Sequence, residues 1–241
     1  MHCTFCGKPK KLIKAHVIPE AFFRRLREGD KSPSLVRQRE HAKRAPIGIY
    51  DSEILCAECD ALFAPWDDYA QTLLAPELAD AEVITDGRQF GGWRVRKYQY
   101  DLLKLFFISL LWRASVSRQP FYHRIKLGPF EERAKELMAA NDPGRAEDFG
   151  VVLARFLEHD LALALLDPHP DTLDSVNYCR FYLGRYVAYI KTDKRPPSRQ
   201  WLPLTMKPDA PLCIVARNLQ RSKELEVMRK VVELSNPKRR N

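Results

Sequence analysis

No stretch of this sequence stays apolar for long enough to cross a bilayer. The longest candidate, Leu102–Trp112, is eleven residues and carries Lys104, whereas a spanning helix needs roughly 20; it reads as a buried core helix. Residues 1–20 are polar, basic and cysteine-bearing, without the apolar centre of a secretory signal, so a cytoplasmic and reducing setting is expected. No internal repeat is present, and no glycine-rich elbow surrounds Ser109 or Ser115, which removes a serine-nucleophile site. Acidic residues are scarce at the start: residues 1–50 hold 4 Asp/Glu against 12 Lys/Arg, a net of +8. Residues 51–100 reverse this, with 10 Asp/Glu against 4 Lys/Arg, a net of −6. A basic surface beside an acidic pocket suits a protein that grips phosphates and also holds a divalent cation. Two solvated faces without a partner are the plain alternative.

What is present is enough for a sizeable core, since 45% of the 241 residues are hydrophobic. Leu12–Ile18 reads as a strand stopped by Pro19, which suits the first turn of a helix over Glu20–Arg27. Residues 34–50 read as basic and extended. A helix is expected over Ala57–Phe63, interrupted at Pro65 and resumed over Asp67–Leu74. Gly87, Gly91 and Gly92 mark a break before a short strand, Trp93–Tyr98. Asp101–Ser117, with Asp101 as its cap, is the strongest helix of the chain and is apolar almost all round. Phe130–Ala140 is amphipathic. Asn177–Lys191 reads as two strands about Gly184, Leu212–Ala216 as a buried strand and Arg221–Leu234 as a terminal helix. In Asp101–Ser117, Trp112 and Arg113 read as packing and ion-pair residues.

Six cysteines fall into two classes. Cys179 and Cys213 stand alone in apolar, strand-like stretches and read as buried structural thiols. Cys3 and Cys6, then Cys56 and Cys59, form two CxxC knuckles with His16 between them. Each knuckle presents two sulfurs to one metal, so the four thiolates suit a tetrahedral Zn²⁺ better than disulfides in a reducing setting. Asp60 follows the second knuckle directly.

The run Cys3-x2-Cys6, Ala15-His16-Val17-Ile18-Pro19, Asp51-x3-Leu55-Cys56-x2-Cys59-Asp60 resembles the zinc-bound HNH (His-Me finger) endonuclease family in order and spacing. It covers about residues 1–65, roughly a quarter of the chain. The resemblance implies an α+β chain in two parts, a zinc-bound ββα-metal module over 1–80 and a mixed helix/strand region over 81–241. It also implies structural Zn²⁺ on the four cysteines and a catalytic Mg²⁺ or Mn²⁺. His16 falls at the family's general base, Asp51 where an orienting Asn is usual, and Asp60 where a metal-binding His or Asn is usual. The sequence departs from the pattern at Ala15, often a metal-binding Asp in the family, and at Asp51 and Asp60, which are carboxylates. Leu105–Ser115 with Lys126-Leu127-Gly128-Pro129 is similar to the second half of bacterial proteins that carry this module.

Each residue has a plainer alternative. His16 also fits a surface position on a zinc-ribbon strand, Asp60 a helix cap, Asp51 a turn, and Asp67-Asp68 a solvated pair. The expected function is cleavage of DNA, ahead of RNA, in bacterial defence against foreign DNA. Arg24, Arg25, Arg27, Arg37, Arg39, Lys43 and Arg44 are candidates for phosphate binding. The rivals are a nucleic-acid-binding or adaptor protein whose site is inactive, and a zinc-stabilised interaction module without nucleic acid.

Overall fold

The computed structural model describes residues 1–24, 34–36, 43–44, 48–75, 78, 81–86, 89–158, 164–226 and 228. The chain is a mixed α+β protein, with three sheets among the described residues. The smallest pairs β1 (Ala15–His16) with β4 (Tyr50–Asp51) antiparallel, aligning Ala15 with Asp51 and His16 with Tyr50. A three-stranded sheet runs β3 (Lys43–Arg44), β2 (Ser34–Val36), β8 (Ala164–Leu166), with β2 and β8 parallel. The largest sheet has seven strands. It begins at one edge with β5 (Ala81–Asp86), β6 (Gln89–Val95), β12 (Leu212–Arg217) and β7 (Val151–Phe156), and continues through β11 (Tyr186–Lys191) and β10 (Val176–Leu183) to β9 (His169–Leu173) at the other edge. Its pairings are antiparallel except that of β12 with β7.

The central strands β7 and β11 are buried along their whole length, and each reads as a nearly continuous apolar and aromatic run, as covered strands do. Pro170 lies in β9 at the sheet edge, where a residue without an N–H is tolerated. The glycine-rich stretch read as a break is instead part of a hairpin: Gly91 and Gly92 lie inside β6, opposite β5. Gly92 has φ +151°, and a Cβ there would sit 2.1 Å from the Ile214 carbonyl oxygen on β12. The glycine serves close strand approach and not chain reversal.

Two helices carry the centre of the molecule. α2 (Ala57–Leu73) follows α1 (Glu20–Arg24), and α3 (Tyr100–Val116) packs against α2 and against α4 (Phe130–Ala139). α2 does not stop at Pro65. Proline inside a helix costs about 3 kcal/mol, and Phe63 and Trp66, buried and stacked at 5.4 Å on either side of it, offset this at roughly 2–3 kcal/mol each. α3 is buried continuously from Leu103 to Ser115, as its all-round apolar character predicts; Gln99, not Asp101, occupies its N-cap. Phe5 meets Trp112 edge-on at 5.4 Å and Phe22 stacks on Phe106 at 5.9 Å. One apolar cluster therefore runs from Cys3 to Leu219 through both halves of the chain. The two strands about Gly184 are found as expected; of the terminal helix, residues 223–226 are helical and its later part lies outside the described residues.

Candidate metal centre and the His16 site

The first knuckle is a tight turn closed by the Gly7 N–H on the Cys3 carbonyl at 2.8 Å, with Gly7 in the left-handed region at φ +71°. Backbone bonds then strap it to the second knuckle. Thr4 N–H donates to Ile54, Ile13 N–H donates to Leu55, both at 2.9 Å, and Leu12 bridges Cys56. Cys56 is the N-cap of α2, and Cys59 sits in the helix's first turn. These ties bring the ligand atoms of Cys3, Cys6, Cys56 and Cys59 within 4.8 Å of one another. All four are free thiols.

The donors fit a tetrahedral metal such as zinc. Zn–S bonds of about 2.3 Å place sulfurs roughly 3.8 Å apart, which the cluster accommodates. The Cys56 N–H points at the Cys3 sulfur at 3.4 Å. Burial pushes the Cys3 thiol up, but the N–H groups of Cys6, Cys56 and Phe5 outweigh it and bring the group down to about 7. Burial and the neighbouring sulfurs push Cys59 up. Four sulfurs crowded together resist ionising together unless a cation joins them. Among the described residues this is the only group of three or more Cys, His, Asp or Glu side chains able to hold one metal ion.

The same frame sets His16. It is half-buried at the end of β1, on the face it shares with Tyr50, with ring centroids 6.1 Å apart. Asp60, in the first turn of α2, is half-buried, and among the described residues its carboxylate accepts no hydrogen bond. Burial pushes the Asp60 carboxyl up, while Arg113 and His16 lie within electrostatic reach and pull it back.

Asp51 is placed elsewhere. Cross-strand partners share a face, so Asp51 lies with Ala15, opposite the face of His16. Its oxygens accept from Glu53 N–H at 2.9 Å, Ser117 Oγ at 2.9 Å and Arg118 N–H at 2.8 Å. The expected contact with the His16 ring is therefore absent, and Asp51 instead ties β4 to the end of α3. Asp67 departs from the solvated pair expected of Asp67-Asp68. Its side chain is 16% exposed and accepts two bonds from Arg113, at 2.6 and 2.9 Å. Asp68 is exposed.

Of the basic candidates, Arg24 pairs with Glu20 at 2.8 Å. Lys43 and Arg44 are placed in β3 by backbone alone, and Arg25, Arg27, Arg37 and Arg39 lie outside the described residues. Cys179 is buried on β10 and Cys213 half-buried on β12, both free. A separate cavity of about 340 Å³, walled by Phe130 and Phe149 and bordered by Lys191 and Asp193, shares no residue with the His16 site. Among the described residues, no helix is long and apolar enough to cross a membrane. Neither protein-family models nor curated proteins nor solved structures give a match to this chain.

Proposed function

We propose that this chain is a metal-dependent HNH-type endonuclease that cleaves DNA phosphodiester bonds, with structural Zn²⁺ on Cys3, Cys6, Cys56 and Cys59. One observation carries the reading. The cysteine cluster and its backbone ties hold the strand ending in His16 against α2, whose first turn carries Asp60, and His16 lies within electrostatic reach of that carboxyl. Burial pushes the Asp60 carboxyl up while Arg113 and His16 favour its charged form, and an acid perturbed in this way beside an imidazole is a candidate for function. In this reading the His16 imidazole takes the proton from the attacking water as general base. Asp60 supplies a hard oxygen for Mg²⁺ or Mn²⁺. A bound divalent ion supplies charge stabilisation for the phosphoryl oxygens. The basic N-terminal segment holds the phosphate backbone, and the family resemblance favours a role in bacterial defence against foreign DNA.

A second reading, a zinc-stabilised nucleic-acid-binding or adaptor protein with an inactive site, is favoured by Asp51. That carboxylate is committed to Ser117 and Arg118, and Ala15 offers no ligand. Plasmid nicking with Mg²⁺ or Mn²⁺ separates the two. His16→Ala is expected to lower the rate roughly 10²–10⁴-fold while zinc content and DNA binding stay unchanged. No nicking by the native chain under either metal leaves the binding protein.

A further inference from the structure

The His16 strand is also held from behind, by a residue of the second half of the chain. Arg113 lies in α3 and is 1% exposed. Its Nη1 donates to the His16 carbonyl at 3.0 Å and to Asp67 Oδ2 at 2.9 Å, and its Nη2 donates to Asp67 Oδ1 at 2.6 Å. Ser109 completes the cradle, its Oγ accepting from Nη2 at 3.1 Å and its carbonyl from Nε at 3.3 Å. The Phe63 ring lies 5.5 Å from the guanidinium carbon. Every contact fixes the plane of one guanidinium, and the fork geometry that does this is peculiar to arginine.

Three elements meet at this group. β1 is held through the main chain of His16, α2 through Asp67, and α3 contributes the arginine. Asp67 stands seven residues after Asp60, two turns along α2 and on the same helix face. The guanidinium thus braces the strand end that carries His16 against the helix that carries Asp60. From this geometry we infer that Arg113 is a positioning residue, which with Asp67 fixes the distance and orientation of His16 relative to Asp60. Its chemical consequence rests on the nuclease reading; its geometry does not. Misplacing a reacting group by about 1 Å costs on the order of 10²-fold in rate, and a brace on the main chain of the base controls displacements of that size.

The test uses the full-length chain and two variants. Arg113→Lys keeps the charge and loses the fork. Arg113→Met/Asp67→Leu removes both charges together, since breaking a buried pair on one side leaves an uncompensated ion whereas apolar replacement of both is often tolerated. Zinc content and thermal unfolding verify that each variant is folded. With Mn²⁺ and plasmid DNA, kcat is expected to fall roughly 10–100-fold with KM unchanged, and the ¹³C resonance of the His16 carbonyl to shift as its bond is lost. A folded double variant with native kcat and a shifted carbonyl resonance overturns the inference. If the native chain cuts no DNA, the nuclease reading fails by itself, and ring NMR of His16 decides the brace. One fixed ring orientation in the native chain that becomes averaged in the double variant supports it, and equal order in both overturns it.

Discussion

Lys104 shows how much a single side chain can oppose the fold. It is 0% exposed in the first half of α3, its amine donating to the Ala146 carbonyl at 3.4 Å and lying 5.9 Å from the Tyr100 ring centre. Burial pulls its amine down from 10.5 to about 7, against Asp148 and Glu147, which favour the charged form. The unfolded chain thus binds a proton that the native chain does not between about pH 7 and pH 10.5. Stability from this group rises with pH across that window, and below about pH 7 the cost is carried in full. Lys104→Met is expected to stabilise the protein by on the order of a few kcal/mol near neutrality and to flatten that rise. Denaturant unfolding of both proteins from about pH 7 to pH 10.5 checks it; parallel curves would show that the amine keeps its proton in the native state. Asp51 teaches a related lesson at the same scale. Its neighbours in sequence place it near the second knuckle, but its hydrogen bonds come partly from Ser117 and Arg118 at the far end of α3.

At the scale of elements, the cysteine cluster joins pieces too short to persist alone. β1 and β4 have two residues each, and a pair of that length has almost no intrinsic stability. The four-cysteine cluster and its backbone ties hold them to α2, and Phe5 carries the first knuckle into the interior against Phe63 and Trp112. Close to one zinc per chain is therefore expected by metal analysis, and Cys56→Ser is expected to lose it. The loss should cost several kcal/mol, because metal binding is folding energy in such sites. It should also weaken the near-ultraviolet signal of Trp66 and Trp112, since Phe5 of the first knuckle packs on Trp112 and on Phe63, which stacks on Trp66. Full metal content or an unchanged aromatic signal in Cys56→Ser would remove zinc from the account of this fold. Pro65 belongs here as well: the neighbours of a proline decide whether a helix ends there, and Phe63 and Trp66 carry α2 through.

For the whole molecule, the two halves share one interior. Arg113 of α3 reaches Asp67 and His16, Trp66 Nε1 donates to Asn141 at 3.3 Å, and the Tyr186 hydroxyl donates to the Ala75 carbonyl at 2.9 Å. The charge distribution also acts at this scale. If residues 1–50, net +8, neutralise about five phosphates, the slope of log K against log salt should be roughly −4 to −5, since each neutralised phosphate releases condensed counterions. Filter binding or fluorescence anisotropy over a salt series measures it. Salt-independent binding, or none at low salt, would sink the nucleic-acid reading.

Local chemistry was readable without the fold. CxxC spacing predicts a four-sulfur cluster because a knuckle needs only four consecutive residues, and the structure brings those sulfurs together. The all-round apolar run predicts α3 as a buried helix, since a helix reports its surroundings through its own periodicity. Three features were decided only in three dimensions. Gly91 and Gly92 read as a break because the strand that crowds Gly92 comes from residue 214, more than a hundred positions away. Strands β7, β8 and β9 carry no alternation that marks them, because burial and edge position are set by distant partners. The brace of Arg113 on His16 and Asp67 could not be read from spacing at all. A buried arginine announces that it must be paired, but only packing selects which carboxylate and which carbonyl it meets.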